Sequence, residues 1–164
     1  MYNFESLSPK DFEELTRDLL QKDLNISLES FKNGRDQGID LRFAKNSTNE
    51  LIVQCKHYKN STFNNLIFSL KEEVNKVQKL LPKRYIIVTS LSLTPQNKTK
   101  ILQVCTPYIL STGDIYGLDD LNNLKNNILS NFIFNGFFCI NLIVMYMYSK
   151  FQESDIKNVK YTEG

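Results

Sequence analysis

The chain has 164 residues, 41% hydrophobic and 23% charged, with a formal net charge of +2. That is enough for one domain with a real core and an ordinary globular composition, and it leaves any nucleic-acid contact to a local basic face rather than to global charge. Three cysteines, Cys55, Cys105 and Cys139, are odd in number and lack CxxC spacing. This pattern speaks against a disulfide framework or a zinc site and for a reducing, cytoplasmic setting.

Met1 to Glu5 has neither a basic nor an apolar stretch of the secretory kind. Ser8-Pro9 opens a helix, with Ser8 as N-cap and Pro9 in the first helical position. Phe12, Leu15, Leu19 and Leu20 recur at helical spacing, and the helix is expected to end near Asn25. Ile26 to Phe31 alternates like a first strand. The turn Asn33 to Gly38, with two glycines, leads to a second strand over Ile39 to Ala44. A polar turn, Asn46 to Asn49, then leads to a third strand over Leu51 to His57. The last two strands read as an antiparallel hairpin.

Phe63, Leu66, Ile67, Leu70, Val74, Val77 and Leu81 lie on one helical stripe that Pro82 ends. Tyr85 to Thr89 is a β-branched run of the kind covered on both faces. Thr94-Pro95 starts another helix reaching about Val104, and Tyr108 to Leu110 reads as a further short strand. The order predicts an α/β sandwich with a mixed sheet. The first domain is expected over residues 1–120. Residues 121–164 form an Asn-rich and then hydrophobic tail. Phe132 to Tyr148 is 17 residues without a charge, just under the roughly 20 that cross a bilayer. Three readings stay open for it: a membrane span, a tail packed on the domain or on a second subunit, and a remnant of truncation or frameshift.

The chemistry gathers around Asp40, Gln54 and Lys56. Strand alternation projects Gln54 and Lys56 to one face, with Val53 and Cys55 on the other. A lysine and an amide are costly beside apolar strand residues unless they have a task. With an acid in reach they make a plausible metal-dependent hydrolytic site. Asp40, the Gln54 amide and the Cys55 backbone carbonyl are hard oxygen ligands suited to Mg²⁺, with Mn²⁺ as a substitute. Lys56 would assist the water or the charge on phosphorus. Helix phasing leaves Glu13 on the flank of the core stripe and Glu14 nearly opposite, so Glu13 is expected to complete the shell through a water. The plain alternatives are a turn-capping Asp40 and solvated Gln54 and Lys56 on an edge strand. His57 and Cys55 read as structural, and the lysines from Lys59 to Lys83 as mostly the wet face of a helix.

Asp11-Phe12-Glu13-Glu14-Leu15, Gly38-Ile39-Asp40-Leu41 and Val53-Gln54-Cys55-Lys56-His57-Tyr58 resemble the Mrr-type branch of the PD-(D/E)XK restriction-endonuclease-like superfamily, in its D…QxK form. The resemblance covers residues ~4 to 118. It implies a three-layer sandwich with an αβββαβ core, in which Asp40 is the metal-binding acid, Gln54 the variant position, Lys56 the catalytic lysine and Glu13 the helix glutamate. It implies a divalent-metal-dependent endonuclease acting on double-stranded DNA in restriction or antiviral defence, and a homo-oligomer is expected for double-strand cleavage. Phe4 to Ser8 and Thr112 to Leu121 are similar to the subgroup that fronts NTPase sensors. The chain shows no P-loop, so such a C-terminal module would be missing. The competing functions are a weak or inactive DNA-binding module and a membrane-attached effector fragment.

Overall fold

The computed structural model describes residues 2–31, 39–46, 48–59 and 61–131. Met1–Lys125 forms one compact unit and Asn126–Gly164 a second. Helix α1 is Pro9–Leu24, opened by a capping box in which the Ser8 hydroxyl accepts from Asp11 N–H and the Asp11 carboxylate accepts from Ser8 N–H. Asn25 closes it in the left-handed conformation. Its stripe buries Phe12, Thr16, Leu19 and Leu20.

The strands are β1 (Glu29–Ser30), β2 (Leu41–Lys45), β3 (Thr48–Lys56), β4 (Arg84–Thr89) and β5 (Ile115–Tyr116). They form one sheet in the order β1-β2-β3-β4-β5. β1, β2 and β3 pair antiparallel, whereas β3–β4 and β4–β5 are parallel. Helix α2 (Phe63–Leu80) makes the crossover from β3 to β4, and α3 (Pro95–Cys105) follows β4. Residues 118–125 begin a further helix. This is the mixed α/β restriction-endonuclease-like architecture.

The two faces of the sheet carry different partners. Ile52, Tyr85 and Ile87 join Leu66, Ile67, Leu70 and Val77 of α2 and Ile101 and Cys105 of α3 in one buried cluster. The alternate residues Leu51, Val53, Ile86 and Val88 are also buried and face the other way. α1 packs on β3, and Phe12 of α1 stacks at 5.1 Å on His57, which continues that alternate face. The sheet is therefore covered by α2 and α3 on one side and by α1 on the other.

Several expectations about strands need correction. The first strand is two residues, not Ile26 to Phe31, because Leu28 N–H is taken by the Gln21 side chain at 2.7 Å. β3 begins at Thr48, so the hairpin turn is tighter than expected, with Asn46 left-handed. Tyr108 to Leu110 is not a strand. Tyr85 N–H bonds to Tyr108 O, but Leu110 N–H is captured by the Asp114 carboxylate at 3.1 Å. Ile115 and Tyr116 make the ladder with Ile87 and Val88 instead. Among the described residues no helix is long and apolar enough to cross a membrane. The stretch 132–148 lies outside the described residues.

Candidate active site

β2 starts at Leu41, opposite Val53, so the last three residues of β3 run beyond the end of their antiparallel neighbour. Asp40 occupies the bend just before β2 and fills the place of a ladder partner. Its Oδ2 accepts from Cys55 N–H at 2.6 Å and from Gln54 Nε2 at 2.6 Å. The N–H and C=O of one strand residue point to the same side, so the Cys55 carbonyl also faces the Asp40 edge. Gln54 is only 5% exposed. With its nitrogen given to Asp40, its amide oxygen turns away from the carboxylate.

The parallel side of β3 is pinned more firmly. Thr89 Oγ1 donates to Lys56 O at 2.9 Å, and Ser90 Oγ both accepts from Tyr58 N–H and donates to Tyr58 O. These bonds fix the backbone from which Lys56 projects. The Lys56 side chain lies on the α2 face, where its Nζ is 3.3 Å from Oε1 of Glu73. Both groups are largely enclosed, at 15% and 14% exposure. Lys76, more than half exposed, approaches the same carboxylate at 3.3 Å.

Glu13 is half-buried and Glu14 exposed, as helix phasing implies. Glu13 comes from the helix on the opposite face, however, and is held by Lys10 at 3.3 Å. It meets Lys56 only around the end of β3, where the two share a cavity of about 290 Å³ with Cys55, His57, Tyr58 and Ser69. Asp40 and Gln54 are not part of that cavity's lining. Asp40, Gln54 and Cys55 thus form one group and Glu13 and Lys56 another, joined through β3. His57 serves the fold: its Nε2 lies 2.9 Å from Phe4 O and its ring stacks on Phe12.

Glu73 was missed by the sequence reading. It falls three residues after Leu70 and four before Val77, within the buried stripe of α2, and an acid at that phase is the signal that could have found it. Tyr85 lies on the same sheet face. It is 1% exposed, and among the described residues its hydroxyl has no hydrogen-bond partner. Burial first, then the nearby Cys105 thiol and the Glu73 and Asp40 carboxylates, raise the phenol well above its ordinary value.

Burial, reinforced by the Asp40 carboxylate, holds the Cys55 thiol well above the usual range. Burial alone pushes Cys105 up to about 12. Neither thiol is a nucleophile near neutrality. In a Cys55→Ser, Cys139→Ser background, Cys105 resists a disulfide reagent at pH 8 until guanidinium unfolds the chain. Fast labelling of the folded protein would contradict this assignment. For Cys105 the folded value exceeds the unfolded 9.0, so its neutral thiol stabilises the fold fully below pH 9. That contribution fades as pH rises toward 12, and Cys105→Ala removes this part of the alkaline decline.

A dication fits this site sparingly. Asp40, the Gln54 amide and the Cys55 carbonyl are oxygen donors of the kind hard cations take. Among the described residues no three His, Cys, Asp or Glu side chains cluster as a metal site. Such a set suits an ion that keeps several waters, as magnesium does.

The sequence model of the Mrr catalytic family, described as restriction endonuclease, matches residues 4–114. The chain belongs to this family. It is also 43% identical over 123 residues to "Uncharacterized protein y4cD" from Sinorhizobium fredii (strain NBRC 101917 / NGR234), a match covering 75% of this chain and 19% of that relative. The chain therefore spans about a fifth of the length of the relative it matches. No solved structure matches it. Membership of the restriction endonuclease family makes this a domain of nuclease type.

Proposed function

We propose that the domain is a divalent-metal-dependent endonuclease that hydrolyses phosphodiester bonds of double-stranded DNA, in defence against foreign DNA. The observation that carries this reading is the Asp40–Gln54–Cys55 group held on β3 one residue from Lys56, in a chain of the restriction endonuclease family. Asp40 and the Cys55 carbonyl would hold Mg²⁺, or Mn²⁺ in its place, and Gln54 would join them by turning its amide oxygen toward Asp40. The bound ion neutralises the phosphate and lowers the pKa of water. Lys56 presents its ammonium to the charge that develops on the phosphoryl oxygens, from a backbone that Thr89 fixes. Glu13 borders the Lys56 cavity and would orient a water there. The much longer relative supports a role for this domain as one part of a larger protein.

The test is plasmid cleavage with Mg²⁺. The wild-type protein nicks or linearises the plasmid, and Lys56→Ala abolishes this. Equal rates for the two would refute the assignment. The sparse acid set favours one second reading, a DNA-binding module without turnover. It predicts plasmid retardation with no cleavage in Mg²⁺ or Mn²⁺.

A further inference from the structure

Position 54 is an amide where a second acid would strengthen a metal site, and the described residues contain no three-acid cluster. Glu13 is a poor replacement, since it belongs to the opposite face and is engaged by Lys10. The face that carries Gln54 and Lys56 holds a different carboxylate. Glu73 sits on the buried stripe of α2, between Leu70 and Val77, with its side chain 14% exposed. An enclosed carboxylate is costly on a stripe that otherwise packs apolar residues. Its Lys56 contact answers only part of that cost, because Lys56 and Lys76 are both held at 3.3 Å rather than at the 2.7–2.9 Å of a tight charge-assisted bond. On the same face, the almost fully buried Tyr85 hydroxyl is unpartnered among the described residues. A buried polar atom of that kind needs a partner that the described side chains do not supply.

We propose that Glu73 supplies, from α2, the second carboxylate that β3 lacks, so that Asp40 and Glu73 together hold the divalent ion while Lys56 occupies Glu73 in its absence. This rests on the endonuclease reading above and deepens it. Lys56 then has two stations. It pairs with Glu73 when no ion is bound, and it is freed toward the phosphate when one is. Gln54 is tolerated because the charge it lacks arrives from the neighbouring helix. The two cations compete for one carboxylate, so removing either partner moves ion affinity in opposite directions.

The experiment is titration of the full chain with Mn²⁺ alone, followed by electron paramagnetic resonance, with melting temperature as the control for folding. Wild type binds Mn²⁺ and Asp40→Asn abolishes binding. Glu73→Gln weakens it by about tenfold or more, and Lys56→Gln tightens it. Gln54→Glu added to Glu73→Gln returns the affinity to near that of wild type. If Glu73→Gln binds Mn²⁺ as wild type does while Asp40→Asn does not, the inference falls and the endonuclease reading stands. If Glu73→Gln weakens binding only by lowering the melting temperature, with no rescue by Gln54→Glu, Glu73 is structural and the inference again falls. If wild type binds no Mn²⁺ at millimolar concentration, both fall together.

Discussion

Asp40→Asn removes DNA cleavage, by about 10²–10³-fold or more, while the melting temperature stays within a few degrees of wild type. The reason lies in what the carboxylate does in each role. As a structural group it accepts Cys55 N–H and one amide proton of Gln54. An asparagine oxygen can still accept from Cys55, and the Gln54 amide can turn to present its oxygen to the new NH₂. These two bonds are therefore kept. As a chemical group Asp40 contributes a negative charge directly against Gln54 and Cys55, and asparagine has none. Parallel cleavage assays and melting curves separate the two roles. A variant that loses both together would make Asp40 a turn-capping residue and nothing more.

Asp114→Ala lowers stability by about 2–3 kcal/mol, short of the 3–5 typical of a fully buried pair because Arg84 remains partly in solvent. Asp114 is only 3% exposed. Arg84, at the start of β4, places Nε and Nη2 on Asp114 Oδ1 at 2.9 and 2.6 Å. The other oxygen takes Leu110 N–H, so the substitution strands a backbone donor as well as a guanidinium. Thermal denaturation should show a fall of roughly 6–12 °C. Arg84→Lys keeps the charge but loses the fork and should fall between the two. A melting temperature unchanged in Asp114→Ala would mean that β5 is held by Ile115 packing alone.

Much of the fold is legible in local chemistry. Ser8 followed by Pro9, with Asp11 three residues on, announces the first helix. The β-branched run at Tyr85 announces a strand covered on both faces, and Asn46 marks the hairpin turn. What periodicity does not carry is which helix covers which face. The phase of α1 places Glu13 on the flank of its own core stripe, yet it cannot say that α1 lies across the sheet from Gln54 and Lys56. The same gap hid Glu73. Its place on the α2 stripe is readable from Leu70 and Val77, but its meeting with Lys56 depends on a crossover that sets α2 over one face. Tyr108 to Leu110 misleads for a different reason. Its residues have strand character, but a carboxylate four residues on, Asp114, takes the amide that a ladder would use.

The early end of β2 opposite Val53 has a consequence for any attempt to engineer this domain. A designer seeking a tougher scaffold would extend β2 at its start by three residues to match the full span of β3. The added backbone would claim the Cys55 amide and carbonyl, displace the Asp40 side chain and give a more regular sheet. It would also seal the edge from which β3 can present main-chain atoms and a neighbouring carboxylate to the same guest. On the proposed reading, irregularity at one strand end is the binding feature, and thermostabilising changes are better sought at α1 or α3.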